Sequence, residues 1–592
     1  MSPLRTCTFL VVMILLAPIS KIFVELGDFN QLPTAEHTKN SNSIHSNSII
    51  DTPSWSIGDS WEYEGYLDVS SFVASSGAST SVDVVYGTLD RTVSDMFLLD
   101  IDNSSKLVYE VISQGEYQTN GAIEVEGQTG CLYANIEIYE IVLASDLSTY
   151  SQEAEIQVFV DPALIFGICL PAFRIDLAEL TVKNTFNPPM EWYDFPLSVG
   201  ESWITNYSQS IEFSGNTSDL IPIPIPDNTT DENSTSWEVV SRGFSGVTYT
   251  GCLQSYNITS YDRDGNIAGF RWYCPAIRGD IKTSLVQSFG FTLVNELTSY
   301  NPTNRQTLIS IELENPLSPL DLETSAWINV TRNGQPVSDK ILQFRYEKEE
   351  FFQNITTNQD GSAYLEFNSG NSRDYSEGNN EYGSHGILAW IESESIIGAK
   401  TIVIDPDVFA VDLTTSSSGV TVSRIRENNT LTLNPSIGFN AVSGDSLLFS
   451  IPVINRGVQT SPPSIIEIQA PDGTTVNGQV PALNSLEEAR VELNWIITSS
   501  QEFGNISLIF EVDPYEQIPE DGNRSNNLGI FSLYIGALPL ANLSIPSTIL
   551  AQDEIFIDGT NSSDPDGGTL ICDFTIVADY GLSVFEEFNS VE

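Results

Sequence analysis

The sequence predicts an all-β chain, a multi-domain string of antiparallel sheets and β-sandwiches, on three observations. Short stretches alternate apolar and polar residues with the period of two that a half-buried strand requires, as in Glu155-Ile156-Gln157-Val158-Phe159-Val160. Turn-forming residues separate such stretches, so that Asp262-Arg263-Asp264-Gly265-Asn266 leads into Phe270-Arg271-Trp272-Tyr273. At 592 residues the chain also exceeds the roughly 250–300 residues at which one core stops growing, which requires several domains.

Residues 1–28 read as a signal peptide or an N-terminal anchor. Arg5 precedes an apolar run from Phe9 to Leu16 that is short for a bilayer span. Residues 29–54 are polar without apolar period and read as a flexible linker, in which His37 and His45 are solvated rather than metal-binding. Lys and Arg number 24 against 79 Asp and Glu, a net charge of −55 spread along the chain. Such a surface repels phosphate backbones and anionic headgroups, so no nucleic acid is expected as a partner; a salty exterior would screen it. Asn103, Asn206, Asn216, Asn228, Asn233, Asn257, Asn329, Asn354, Asn428, Asn505, Asn523, Asn542 and Asn561 open N-x-[ST] triplets, candidate glycan acceptors on an exported protein.

An internal repeat divides the next part into 55–195 and 196–303. Trp55-Ser56-Ile57-Gly58-Asp59-Ser60-Trp61 returns as Leu197-Ser198-Val199-Gly200-Glu201-Ser202-Trp203. Each copy then carries Thr-Gly-Cys-Leu, at Cys131 and Cys252, and a second cysteine before Pro-Ala, at Cys169 and Cys274. Pairing within each copy is the most economical reading, closing loops of 38 and 22 residues. In the chain-entropy model these are worth roughly 3–4 kcal/mol apiece. The alternative, a four-cysteine metal site, lacks any C-x-x-C. In the second copy, the turn at Asp262 to Gly265 followed by Trp272-Tyr273-Cys274-Pro275 resembles curved-sheet domains of lipoprotein-carrier type. That resemblance implies a concave sheet face able to hold a lipid or peptide, against the plainer reading of a closed structural core.

Residues 304–408 hold Asn333-Gly334-Gln335-Pro336-Val337 and Thr357-Asn358-Gln359-Asp360-Gly361-Ser362-Ala363, which resemble the bacterial Ig-like repeats of surface adhesins. In 409–536, Val453-Ile454-Asn455-Arg456-Gly457, the inner-strand Trp495, Val512-Asp513-Pro514 and the pair Asn526-Asn527 resemble CARDB modules, the adhesion-related Ig-like domains of bacterial and archaeal surface proteins. Residues 537–592, with Asp558-Gly559-Thr560-Asn561-Ser562-Ser563-Asp564-Pro565-Asp566-Gly567, resemble the opening of a PKD-type domain, cut short at Glu592. That resemblance implies a Ca²⁺ site at Asp558, Asp564 and Asp566; the competing reading is a tight turn set by Pro565 and Gly567.

The chain has three His and no H-E-x-x-H, G-x-S-x-G or P-loop, so no catalytic residues and no required cofactor are expected. The resemblances together imply a non-enzymatic, exported prokaryotic surface protein, archaeal in character, that meets a cell-surface protein or glycan. Its contact with membrane would be only through an N-terminal or C-terminal anchor. The alternatives are the non-catalytic arm of a secreted peptidase or glycoside hydrolase and, more weakly, an apolar-ligand carrier.

Overall fold

A computed structural model of the chain describes residues 46–47, 50–68, 83–125, 128–165, 168–169, 171–217, 228–262, 265–287, 291–372, 382–434, 437–499, 501–544, 558–565, 576–577 and 583–584. The described residues are almost entirely β, in several antiparallel sheets. No helix among them is long and apolar enough to cross a membrane.

Twelve strands between Ser60 and Asn301 form one closed meander. They are β1 (Ser60–Asp68), β2 (Val84–Ile101), β3 (Ser104–Thr119), β4 (Gln128–Leu143), β5 (Thr149–Ile165) and β6 (Ile175–Met190), then β7 (Ser202–Thr217), β8 (Thr229–Gly243), β9 (Ser255–Tyr261), β10 (Ile267–Cys274), β11 (Gly279–Gln287) and β12 (Phe291–Asn301). Each pairs antiparallel with the next, and β12 returns to β1 with Leu297 opposite Tyr63 and Asn301 opposite Ser60. Closure leaves no free edge among these twelve strands. Alternation sets what faces in: on β3, Tyr109, Val111, Ser113 and Tyr117 are buried, and on β1, Trp61, Tyr63 and Leu67. Tyr117 lies over Gly87 of the neighbouring strand β2 and over Gly115 of its own strand. A Cβ on Gly87 would stand 2.3 Å from the Tyr117 ring, so the glycine makes room for the phenol.

The two sequence copies are thus six-stranded halves of one barrel rather than successive domains. Neither half can cover its own inner face or satisfy both of its edges, and joining them does both. Their shared opening is conformationally real. Gly58 and Gly200 sit at φ of +92° and +91°, and their amides donate to Val93 and Val239 carbonyls, each at 2.8 Å. Asp59 and Glu201 accept from the amides of Ser56 and Ser198, three residues back. Both expected disulfides are present, Cys131–Cys169 and Cys252–Cys274. They are not equivalent, however. Strand alternation puts the first at the lower end, where β1 finishes, and the second at the upper end, where β1 begins.

The next module is a two-sheet sandwich. One sheet joins Thr307–Leu313, Glu323–Arg332, Gln335–Pro336 and Ser362–Asn368; the other joins Leu317–Ser318, Ile396–Ile404, Gly383–Ile391, Ile341–Tyr346 and Phe351–Thr356. Asn333 and Gly334, both at positive φ, make the hairpin turn expected of that pair. Strand Gly383–Ile391 is buried on both faces. Ile387, Ala389 and Ile391 enter the sandwich core, while Leu388 and Trp390 join the upper core of the barrel, so the sandwich caps the barrel's upper end.

From Val411 to Gly536 a second sandwich forms. Leu413–Thr415, Thr421–Arg426, Asn429–Leu433, Ser446–Asn455 and Glu488–Ile496 face Asn440–Val442, Ser464–Gln469, Thr475–Val480, Gly504–Val512 and Leu528–Gly536. Trp495 is buried between the sheets and donates from Nε1 to Thr474 Oγ1 at 3.2 Å. It too rests on the barrel's upper end, where Arg456 donates to Ser198 Oγ at 3.0 Å and Arg242 lies 3.7 Å from Glu488.

The tail of the expected linker is docked rather than free. Ser46–Asn47 adds to strand Glu488–Ile496, Ile50 bridges to Leu197, and Asp51 pairs with Lys400 and accepts from the Thr401 amide. Main-chain pairing and one carboxylate hold it, so no apolar period announces it. The signal segment lies outside the described residues.

Candidate functional site: the interior of the closed sheet

Three layers fill the barrel. The lower one is aliphatic, with Leu132, Ile136, Ile156, Val158, Leu180 and Val182. The upper one is aromatic. Trp55 packs edge-on to Trp61 at 5.3 Å, Trp61 stacks on Tyr300 at 5.5 Å, and Trp192 meets Trp237 at 5.6 Å. Two of these rings are held by bonds from their polar edges: Trp55 Nε1 and Trp61 Nε1 donate to the carbonyls of Arg278 and Ile277 at 2.9 and 2.8 Å.

Between the two layers runs a polar belt. Arg91 on β2 pairs with Glu140 on β4 at 3.2 Å, and Gln152 on β5 donates to Glu140 at 2.6 Å. Further round, Asn233 donates to Gln209, and Gln209 to Asn184, each at 3.3 Å. On the far wall Arg271 of β10 lies 3.5 Å from Asp280. Each arginine also faces aromatic rings: Arg91 is 5.4 Å from the Trp55 ring, and Arg271 is 4.4 Å from Trp192 and 5.1 Å from Tyr193. Two enclosed guanidinium–carboxylate pairs nearly balance in charge, which is how such groups tolerate removal from bulk water. Burial pulls the Arg91 guanidinium down, but Glu140 and Tyr63 outweigh it and leave the group held above its ordinary value. Burial pushes the phenols of Tyr63, Tyr193 and Tyr273 upward, which keeps them neutral donors.

The belt is incompletely satisfied from within. Arg271 Nε, Asp280 Oδ1, Asn295 Oδ1 and Trp237 Nε1 are buried without a hydrogen-bond partner. Arg91 and Glu140 keep side-chain exposures of 24% and 12% although strands surround them, so solvent-sized space adjoins the belt. Such an arrangement can hold water or a small polar group between aromatic walls. It is poorly matched to an apolar chain, which would strip water from both ion pairs. Sequence reasoning missed these residues. The available signal was a charged residue at an inward position of an aromatic strand, Arg271 within Phe270-Arg271-Trp272-Tyr273.

The residues expected to bind metal lie elsewhere. Asp558 accepts from the amide and hydroxyl of Thr560, at 2.9 and 2.6 Å, which holds its carboxyl below the ordinary range. Asp564 follows the bridge of Ser563 to Leu540, and Asp566 lies outside the described residues. Among the described residues no three acidic, histidine or cysteine side chains gather to hold a metal. Of the candidate glycan acceptors, Asn233 is engaged with Gln209 on the barrel's inner side, whereas Asn206, Asn354 and Asn505 are exposed.

Comparison with known proteins is informative for one module. The CARDB family matches residues 412–529. Among solved structures, the CARDB domain of a Pyrococcus furiosus protein, solved in complex with di-metal ions, is 20% identical, covering 22% of this chain and 94% of that one with a TM-score of 0.17. A putative membrane anchored protein from Corynebacterium diphtheriae is 8% identical, covering 80% of this chain and 96% of that one with a TM-score of 0.15. Escherichia coli alpha-2-macroglobulin activated by porcine elastase is 9% identical, covering 85% of this chain and 45% of that one with a TM-score of 0.14. At such scores these likenesses carry no functional argument. No curated protein matches the chain. The second sandwich, with its buried Trp495 and its Asn526-Asn527 pair, is where family and structure agree: the chain carries a CARDB domain over residues 412–529.

Proposed function

We propose that the chain is a non-enzymatic, exported surface protein in which the barrel is a head and the two sandwiches are its mount. One observation carries this reading. Both sandwiches fasten to the upper end of the barrel, through Trp390, Arg345 and Arg456. Among the described residues this leaves the lower end, marked by the Cys131–Cys169 bridge, to face a partner. Loops on a rigid scaffold are where binding residues concentrate. The acidic surface suits an exterior setting and a cell-surface protein or glycan as partner.

The test is labelling of intact cells with a membrane-impermeant reagent, together with an attachment assay on cells lacking the protein. Labelling of the chain and weakened attachment are expected. A chain labelled only after lysis, or attachment that does not change, would refute the proposal. The unpartnered atoms of the belt favour a second role, retention of a small polar ligand inside the head. Native mass spectrometry of the purified chain would show the bound ligand as added mass, and a mass equal to the protein alone would count against that role.

A further inference from the structure

Exposed aromatic rings and candidate glycan acceptors coincide on the two sandwiches. Among the described residues six Phe or Trp side chains are exposed. Three of them, Trp327, Phe352 and Phe503, stand two residues before an N-x-[ST] asparagine, at Asn329, Asn354 and Asn505. Thirteen such triplets in 592 residues would not collect half of the exposed rings by chance. Strand geometry gives the spacing a meaning, because side chains two apart share a face, about 6–7 Å from one another. In Glu323–Arg332, Ile328 and Val330 enter the core, so Trp327, Asn329 and Thr331 share the outer face. In Phe351–Thr356, Ile355 enters the core, and Phe352, Asn354 and Thr356 share the opposite face. Gly504, at φ of +105°, breaks the alternation after Phe503, but Asn505 faces the exposed Tyr534 across the ladder.

The surroundings of Asn329 identify what covers these rings. Across the ladder it faces Ser310 on one side and Ser362 on the other, so small side chains leave room beside it. The next row holds Trp327 and Tyr364, 39% and 50% exposed, with ring centroids 5.5 Å apart. Ser362 Oγ donates to Asn329 Oδ1 at 2.7 Å, a bond that substitution at Nδ2 leaves in place. Glu312 flanks Trp327, and Glu366 accepts from the Tyr364 hydroxyl at 2.8 Å. A sugar suits both parts of this face: its C–H side packs on the negative π-face of a ring, and its hydroxyls donate to carboxylates. A second copy of the face would instead set acid against acid.

We propose that Asn329, Asn354 and Asn505 carry N-linked glycans whose first sugars cover Trp327 with Tyr364, Phe352, and Phe503 with Tyr534. This rests on the reading of the chain as exported. In each transfer Nδ2 bonds to C1 of the sugar of a lipid-linked glycosyl phosphate and the C1–O bond breaks. The lipid phosphate leaves with the electron pair, and one Nδ2 proton passes to water. Transfer precedes the pairing of Glu323–Arg332 with its two neighbours, which fixes the backbone around Asn329. The sugars then take the exposed rings out of water.

The test is peptide mass spectrometry of the full chain purified from the cells that make it. Added sugar mass is expected on the peptides holding Asn329, Asn354 and Asn505, and a bare asparagine at any of the three overturns the assignment there. Three bare sites beside a glycan at Asn206 would overturn the inference while leaving export standing. Sites bare throughout the chain would overturn it too, with surface labelling still deciding export. A thermal-midpoint cycle tests the covering of the rings. Thr331→Val destroys the triplet but keeps Asn329 and a β-branched strand residue, so it should lower the midpoint. In a Trp327→Ser, Tyr364→Ser background the same change should lower it by less than half as much. Equal losses in both backgrounds would overturn the covering. So would rings protected from oxidation on intact cells while Asn329 is bare, which would mark a protein partner instead.

Discussion

Replacing Arg345 by methionine tests whether the first sandwich is welded to the barrel. Arg345 is buried and donates from Nε to Glu347 at 2.9 Å, from Nη1 to Gln343 at 2.6 Å, and from Nη2 to the Ser105 carbonyl at 2.7 Å across the interface. Glu347, equally buried, accepts from the Leu107 amide of the barrel at 2.8 Å. Removing the guanidinium leaves buried Glu347 with only the Lys106 ammonium near it, a loss of up to about 3–5 kcal/mol for a buried pair broken on one side. Arg345→Met with Glu347→Leu should recover part of this but stay below wild type. The orphaned Leu107 amide and Ser105 carbonyl each still cost about 1–3 kcal/mol. Burial already raises the Glu347 carboxyl against the pull of Arg345, and the single variant raises it further. A carboxyl raised in the folded state contributes stability at low pH that is lost as pH climbs through the folded value, so the deficit should shrink on acidification. Calorimetric unfolding at several pH values, with hydrogen exchange at Leu107, reads this directly. A single variant within about 1 kcal/mol of wild type, or a double variant worse than the single, would refute the argument.

Two other perturbations address the same end of the barrel. A Cβ on Gly386 would stand 1.9 Å from the Ser145 carbonyl oxygen and 2.5 Å from its carbon. Gly386→Ala should therefore part the sandwich from the barrel at a cost near the top of the ~1–3 kcal/mol range for overpacking. Faster proteolysis between the modules would report it; an unchanged pattern would contradict it. At the other contact, burial lifts the Glu201 carboxyl to about 7, with Asp194 adding and Arg456 opposing. Its contribution is whole below the ordinary glutamate range and lost as pH rises through about 7, up to ~3 kcal/mol. Glu201→Gln should flatten that slope in a thermal-midpoint series, and superimposable profiles would show the reading wrong.

Strand content was legible because period-two alternation follows from which face is covered, and Trp495 and Asn526-Asn527 marked the CARDB sandwich. The repeat of Trp55 to Trp61 in Leu197 to Trp203 was legible too, because a positive-φ glycine and an acid three residues beyond a serine amide are local requirements. What the repeat builds was not. Pairing of β1 with β12 depends on residues far apart in sequence, and a six-stranded half reads the same whether it stands alone or joins another. The polar belt was hidden because Arg91 and Glu140 look like ordinary surface charges until closure turns them inward. Position misled for the cysteines. Similar neighbours surround Cys131 and Cys252, but they lie at opposite ends of the barrel.

Closure of the sheet between Ser60 and Asn301 also constrains how the molecule comes into being. A chain threaded out from its N-terminus offers β1 to β6 first, a curved sheet with two unpaired margins and an uncovered inner face. Such margins recruit any passing strand, including those of another copy. Relief arrives only when β12 emerges, more than two hundred residues after β1 begins, and long-range pairing of this kind is slow. The upper core waits longer still, because Trp390 completes it from another module. Maturation therefore favours a chain kept apart from its neighbours until the ring shuts, and a truncation just short of Phe291 should yield aggregates rather than a smaller folded head.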